Sequence, residues 1–395
     1  MNSFAKKNIL ALTVAQSFAM CSPAIIVLLG GIVGSALAPD PALSTLPLTV
    51  MIIGAASFTV PASLIMKKIG RKQGFILAAF CAAFAGILAA YAINERVFSL
   101  FCIATFLSGT HMAFVQQYRF AAAESVSLNE TGKAISLLMS AGVIAAFIGP
   151  ELADRLSTWP KLMPYAGSFI GMSALMLMAA LSLMFYQNNS PNFNNTQCHK
   201  TPRPLRLIIR QPLFILSLTA SCTAFAVMGL IMTVTPISMH ITDHYSVSDT
   251  SKVIQAHIIA MYLPSLFSAY FISQIGYRNM MLVGATAMLL CLLLSLHDNS
   301  FMHYWLALVL LGIGWNFLFI AGTTALSYTH STCEKFSVQA FNDASVFGLQ
   351  AIAALSAGVI MQIWGWHAIQ WISLPLLLTL FILIFYQQFI KYPHS

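Results

Sequence analysis

The sequence predicts an all-α membrane protein of twelve transmembrane helices, arranged as two six-helix halves. Three observations predict this class. Of the 395 residues, 58% are hydrophobic and only 8% are charged, whereas soluble domains carry about 25% charged residues. Apolar stretches of about 20 residues, which is the length needed to cross a bilayer, recur along the whole chain. Short motifs of the first half also return in the second half.

Twelve apolar stretches predict twelve spans, with one polar interruption between the sixth and the seventh. The predicted spans are 8–36, 44–66, 74–93, 97–120, 133–153, 163–186, 212–238, 252–274, 279–297, 301–328, 337–363 and 366–390. The polar interruption is rich in Asn, Pro and basic residues, which is typical of a linker. We therefore expect an N-terminal half over 1–187, a cytoplasmic linker over 188–211 and a C-terminal half over 212–395.

The placement of Lys and Arg predicts the orientation, because cytoplasmic loops of membrane proteins carry an excess of basic residues. With the N-terminus inside, most of the 19 basic residues fall on the cytoplasmic side. The exceptions are Arg96, Arg155, Lys161 and Lys252. We therefore expect both termini in the cytoplasm of a bacterial cell and a multi-pass protein of the inner membrane. The net charge of +8 then reflects topology and does not indicate a nucleic-acid partner.

Motifs of catalysis and of cofactor binding are missing from the sequence. The seven cysteines show no CxxC spacing, which argues against a disulfide framework or a zinc module. The sequence also lacks a phosphate-binding P-loop and a GxSxG nucleophile motif. We therefore expect no enzymatic activity and no cofactor. The expected partners are the lipid bilayer and a small-molecule or metal-ion substrate. The protein is expected to be a monomer.

An internal repeat supports the division into two halves. Gly70 and Gly276 follow the second and eighth spans at a separation of 206 residues. Similar separations relate Ala134 to Ala340, Gly142 to Gly348, Gly109 to Gly314, and Phe114 to Phe319. Six helices return the chain to its starting side of the membrane, so the repeat is parallel. Two halves related by an axis along the membrane normal are typical of major facilitator transporters.

The loop after the second span, residues 67–72 with the sequence KKIGRK, resembles the basic loop signature of the major facilitator superfamily. The resemblance covers nearly the whole chain and implies alternating access about a midplane site. The family signature opens with Gly and Asp, where this chain has Ser63 and Lys67. The family's Asp is implied to latch the loop to helix eleven. We hypothesise an inverted latch here, in which Asp343 pairs with Lys67 or Lys68.

Three further segments are similar to one bacterial branch of that superfamily, which contains the CcoA-type copper importer and riboflavin importers. These segments are 117–123 (QYRFAAA), 312–319 (GIGWNFLF) and 339–343 (QAFND). The resemblance implies metal motifs MxxxM on helix seven and HxxxM on helix eight. The matching residues in this sequence are Met228, Met232, His257 and Met261.

Those four residues also form a candidate site by their own chemistry. Residues four apart share one face of a helix. If the two helices pack as an antiparallel hairpin, Met228 lies level with Met261, and Met232 lies level with His257. Three thioethers and an imidazole suit Cu(I). The competing interpretation is that Met fills gaps in packed helices.

A second group of candidates lies on helices four and ten. The run Gln116, Gln117 and Arg119, with His111 one to two turns earlier, can grip an organic anion or a flavin-like ring. The alternative is an interfacial anchor, because Arg and aromatic residues favour that depth. Asn316 on helix ten either lines the central cavity or mediates helix packing.

Carboxyl groups near helices are candidates for coupling to protons, because burial raises the pKa of a carboxyl group. Glu151, near the outer end of helix five, and Asp343 are the candidates for this role. Taken together, the sequence predicts a secondary transporter of a small solute, with copper import as the leading specific expectation. The alternative is import or efflux of an organic molecule such as riboflavin, a siderophore or a drug-like compound. A sensor that binds without transport is a further possibility.

Overall fold

In the computed structural model, the described residues are 3–126, 130–159, 161–188, 203–331 and 334–389, and among them only helices and turns occur. In the first half the α-helices are α1 Ser3–Ala19, α2 Cys21–Leu37, α3 Leu46–Ile69, α4 Arg71–Asn94, α5 Phe98–Val115, α6 Tyr118–Glu124, α7 Thr131–Arg155 and α8 Ala166–Met184. In the second half they are α9 Leu205–Ile208, α10 Pro212–Pro236, α11 Val247–Tyr262, α12 Ser268–His297, α13 Phe301–Ser327, α14 Lys335–Trp364 and α15 Trp366–Phe389. The chain therefore has the all-α membrane fold that its sequence predicts.

Within the described ranges, eleven helical stretches are long and apolar enough to cross a membrane. The eighth predicted span, 252–274, is interrupted and is not among these eleven. Helix α11 ends at Tyr262, a 3-10 turn covers Leu263–Leu266, and α12 continues to a kink at Gly276. Pro264 in the turn has no N–H to donate to a helix, and Gly276 adopts φ +76°, which residues without a Cβ tolerate best. The ninth span begins after that kink.

Each half contains a close helix pair that the glycine positions make possible. Helix α5 packs along α3 in the first half, and α13 packs along α11 in the second half. A Cβ on Gly312 of α13 would lie 2.6 Å from the carbonyl oxygen of His257 and 2.8 Å from the Cβ of Ala260. Small residues at such positions let membrane helices approach closely. This contact determines where the side chains of α11 meet α13.

We call the membrane side that carries residues 66–71 and 203–211 the terminal face, and the opposite side the distal face. The halves meet through α2 with α10, α3 with α14, and α7 with α11. Gly358 of α14 approaches Thr45, and the short 3-10 turn Pro41–Leu43 also packs on α14. All of these residues lie towards the distal face. The distal ends of the two halves are therefore in contact.

Ion pairs on the terminal face join segments within one half. Arg71 donates to Glu124 at 2.6 Å, which ties the basic loop to α6. Arg203 binds the buried carboxylate of Glu334 at 2.8 Å, which ties the start of the second half to the loop before α14. The Arg203 guanidinium holds the pKa of Glu334 far below its usual range. Residues 189–202 of the predicted linker lie outside the described ranges, so the predicted boundaries 1–187, 188–211 and 212–395 stay a prediction.

Candidate functional site

Four aromatic side chains from three helices meet in the middle of the second half. Phe225 of α10 makes edge-to-face contacts with Trp315 and Phe319 of α13 and with Phe347 of α14, at ring-centroid distances of 5.1, 5.3 and 5.7 Å. Trp315 stacks on Phe319 at 5.2 Å with an interplanar angle of 22°. Phe319 and Phe347 are half-buried, whereas Phe225 and Trp315 are buried. We call these four residues the aromatic cluster. It offers flat apolar surface near the midpoints of α10, α13 and α14.

The His257 ring is oriented by the neighbouring helix. Its Nδ1 lies 2.8 Å from the carbonyl oxygen of Leu308 on α13. A carbonyl oxygen only accepts hydrogen bonds, so Nδ1 carries the proton and the neutral ring has a bare Nε2. Nε2 is buried and finds no hydrogen-bond partner among the described residues. His257 therefore presents one uncompensated acceptor inside the helix bundle.

Asn316 makes a second hydrogen bond between α13 and α11. Its Nδ2 donates to the carbonyl oxygen of Met261 at 2.6 Å, which leaves Oδ1 buried and without a partner in the described part of the chain. Asn316 thus joins the two helices, as the helix-packing interpretation expects, and keeps one acceptor unused. The indole N–H of the adjacent Trp315 is a buried donor, and it too has no described partner. Three buried polar atoms at the α11–α13 contact therefore lack a described partner, and one of them, Trp315 Nε1, belongs to the aromatic cluster.

The helix arrangement does not support the hairpin expected for Met228, Met232, His257 and Met261. Helix α10 packs against α13, α14 and α15, whereas α11 packs against α13 and α7. Helices α10 and α11 are therefore not packed side by side, and each of them packs against α13 instead. Met228 and Met232 are buried in the α10 interface, and Met261 is half-buried. Among the described residues, no group of three or more His, Cys, Asp or Glu side chains is placed to hold a metal ion.

The candidates on helix four are separated by a break in that helix. Helix α5 ends at Val115 and α6 begins at Tyr118, so Gln116 and Gln117 form a turn. Gln116 is exposed, and Gln117 Nε2 donates to Ser63 Oγ at 3.4 Å. The Arg119 guanidinium lies 4.9 Å from the ring centroid of Phe120.

His111, one turn before that break, is fully buried. Neither of its ring nitrogens has a partner in the described residues. The internal repeat relates Gly109 to Gly314, so His111 and Asn316 occupy equivalent positions in the two halves. Asn316 uses its position to bond α11, whereas His111 makes no such bond to α3.

The coupling and latch candidates are also separated. Glu151 accepts from Arg155 Nε at 2.7 Å as an exposed pair four residues apart on α7. Lys67 and Lys68 are exposed, and neither lies within salt-bridge distance of Asp343. Asp343 instead accepts from Asn342 Nδ2 at 3.1 Å. With the distal ends of the two halves in contact, the inverted latch is therefore not formed.

One hydrogen bond between the halves has no signal in the sequence. Tyr165 OH lies 3.1 Å from His240 Nε2, and His240 Nδ1 lies 2.8 Å from the carbonyl oxygen of Tyr245. Tyr165 precedes α8 with a φ of +72°, and His240 belongs to a π-helical turn, Ile237–Thr242. Both are uncommon backbone states that cluster at functional sites. The bond joins the two halves at the distal face.

Comparison with known proteins adds relatives to this geometry. A family model described as Major Facilitator Superfamily matches residues 9–331. The chain is 36% identical over 373 residues to the riboflavin transporter RfnT of Brucella anthropi, covering 94% of this chain and 93% of the relative. It is 24% identical to two uncharacterized MFS-type transporters of Bacillus subtilis strain 168, YddS and YdeG, covering 91% of this chain and 86% of each relative.

Solved structures share the fold at low sequence identity. The nucleoside transporter NupG, in a mutant form, superposes with a TM-score of 0.74 at 14% identity, covering 96% of this chain and 98% of that one. A bacterial homologue of the human lysosomal transporter Spinster, in an inward-facing and unoccupied conformation, gives 0.67 at 13% identity. That match covers 98% of this chain and 96% of the homologue. These likenesses support the twelve-helix architecture.

Proposed function

We propose that this protein imports riboflavin or a closely related flavin across a bacterial inner membrane. The chain belongs to the Major Facilitator Superfamily. The family and the relatives are transporters, so the chain is a multi-pass membrane transporter and not an enzyme. The observation that carries the flavin proposal is the 36% identity to a riboflavin transporter over 94% of the chain.

The aromatic cluster supports a planar solute. Stacking of an aromatic side chain on a nucleobase contributes about 1–3 kcal/mol, and a flavin ring system offers a larger flat surface. Trp315 and Phe319 already lie nearly parallel, with an interplanar angle of 22°. Phe319 and Phe347 are half-buried, so the edge of the aromatic cluster that they form is open to an incoming ring. The sequence lacks a nucleotide-binding segment, so transport runs on a gradient of solute or ions.

Copper import, the leading expectation from the Met and His pattern, is not supported. The relative with the highest identity given above is named for riboflavin. The two helices that carry the pattern are separated by α13, and His257 Nδ1 is used by Leu308. The organic-molecule alternative fits better, and within it a flavin is favoured by the riboflavin transporter relative and suits the flat surface of the aromatic cluster.

The test is uptake in bacteria that can neither make riboflavin nor import it. Expression of this chain should restore growth on limiting riboflavin and the accumulation of radiolabelled riboflavin. The variant Trp315→Ala should lose most of this uptake. Trp364→Ala, which alters an exposed tryptophan of α14, is the matched control and should keep it. Copper content, measured in the same cells, should not change with expression. Growth and uptake at the level of the empty vector would refute the proposal.

A further inference from the structure

The α11–α13 contact contains buried hydrogen-bonding atoms that have no partner among the described residues. His257 Nε2 and Asn316 Oδ1 are both acceptors, and each is buried without a described partner. Their roles are not ambiguous, because the carbonyl oxygens of Leu308 and Met261 can only accept. The nitrogen that faces each carbonyl must therefore carry a proton.

An unused buried acceptor is unfavourable. Leaving such a group without a hydrogen bond costs about 1–3 kcal/mol, and a bound donor removes that cost. Both acceptors lie at the contact of α11 with α13. His257 is four residues before Met261, and the carbonyl oxygen of Met261 accepts the hydrogen bond from Asn316. Four residues correspond to about 6 Å along a helix. The two acceptors therefore suit a ligand that carries several hydroxyl donors along a short chain.

The third unused atom has the opposite character. Trp315 Nε1 is a buried donor on the residue next to Asn316, and its indole ring belongs to the aromatic cluster. A donor beside flat aromatic surface suits a ring carbonyl or ring nitrogen of a stacked heterocycle. Trp315 Nε1 thus offers a donor to a ring stacked on the aromatic cluster, and His257 Nε2 and Asn316 Oδ1 offer acceptors to a hydroxylated chain.

We infer that His257 Nε2 and Asn316 Oδ1 select the hydroxylated side chain of the solute, while the aromatic cluster and Trp315 Nε1 hold its ring. The inference rests on the proposed flavin transport and names the part of the molecule that each group recognises. Riboflavin carries a polyol chain on its ring system, whereas lumiflavin carries a methyl group at the same position. The transporter should therefore prefer riboflavin to lumiflavin.

The unmodified protein provides the first test. In cells expressing it, unlabelled lumiflavin should compete with labelled riboflavin only at concentrations about 25-fold higher than unlabelled riboflavin. This value assumes two hydrogen bonds of about fivefold each, the typical net contribution of one bond. Equal competition by the two flavins would overturn the inference and leave the flavin proposal standing. Absence of riboflavin uptake would refute the proposed function instead.

The second test separates the acceptor from the histidine ring. His257→Phe, which has no acceptor, should raise the KM for riboflavin by about two- to tenfold. The same change should leave the KM for lumiflavin within twofold. His257→Gln keeps an acceptor oxygen and should retain part of the preference. His367→Phe, at an exposed histidine of α15, is the control.

Three results would overturn the inference in this second test. One is an equal loss of both flavins in His257→Phe, and another is no change for riboflavin. The third is cell copper content that rises with the wild-type protein and falls with His257→Phe, because that result would make Nε2 a metal ligand. If His257→Phe does not fold, shown by aggregation on size-exclusion chromatography, the competition assay on the unmodified protein still decides.

Discussion

Gly312→Ala is expected to separate α11 from α13 and so to weaken both stability and transport. The added Cβ would lie 2.6 Å from the carbonyl oxygen of His257 and 2.8 Å from the Cβ of Ala260. Both distances are far inside a normal contact of about 3.5–4.0 Å. The first neighbour is backbone, so no side-chain rotation relieves the collision. The two helices must move apart by several tenths of an ångström.

The magnitude follows from two opposing effects. Overpacking costs about 1–3 kcal/mol, and the rigid backbone neighbour places this case at the upper end. Alanine gains about 0.5–1 kcal/mol over glycine in a helix interior. The net loss is therefore about 2 kcal/mol. The helix separation also lengthens the bonds from His257 to Leu308 and from Asn316 to Met261, now 2.8 and 2.6 Å, so riboflavin uptake should fall as well.

The assay is thermal unfolding in detergent, followed by size-exclusion chromatography with fluorescence detection. Gly348→Ala is the matched control, because a Cβ on Gly348 of α14 meets nothing within 4 Å. Gly312→Ala should melt several degrees below the wild type, whereas Gly348→Ala should melt at or slightly above it. Equal melting temperatures for the two variants would show that the α11–α13 contact has room for a Cβ on Gly312.

Substitutions at Trp315, Tyr165 and Glu334 test other parts of the structure. Trp315→Phe keeps a ring but loses the N–H, so it should raise the KM for riboflavin about two- to tenfold. Trp315→Ala also loses the ring and should raise the KM further. Equal effects of the two variants would contradict the stacking role. Tyr165→Phe removes the hydrogen bond between the halves. A cysteine probe placed in the π-helical turn should then be labelled from the distal side up to about tenfold faster. Unchanged labelling would argue that this bond does not hold the distal ends together. Glu334→Gln should lower the melting temperature at neutral pH. Because Arg203 depresses the pKa of Glu334, the wild type keeps this advantage above the ordinary glutamate pKa and loses it as the pH falls towards the depressed value. A difference between these two proteins that stays constant down to pH 3 would exclude that ion pair as its source.

Much of the fold was predictable, because hydropathy and length decide what can cross a bilayer. The spans follow the apolar stretches, and the repeat of Gly70 at Gly276 located the break before the ninth span. The interruption at Pro264 was not expected, since the predicted span 252–274 was read as one helix. The transporter class and the superfamily were also predicted, and both are confirmed.

The candidate site was predictable only in part. His257 and Asn316 were both candidates, and each has a buried acceptor without a partner in the described part of the chain. The hairpin that would bring Met228 and Met232 opposite His257 and Met261 finds no support in the helix packing, because equal depth along two helices does not show that the helices touch. Phe225 had no local signal, since a phenylalanine in an apolar span is unremarkable until its neighbours are known.

The sequence alone shows which segments are apolar enough to enter the membrane and which residues are polar within them, because both depend on local composition. It also carries the resemblance to the Major Facilitator Superfamily, within which the chain is 36% identical to a riboflavin transporter. The order in which helices pack was decided by the tertiary structure, which places α13 between α10 and α11. That packing separates the Met and His pattern, brings Phe225 to Trp315 and leaves His257 Nε2 with no partner among the described residues. Contacts between distant segments depend on how whole helices fit together, and no short stretch of sequence contains that information.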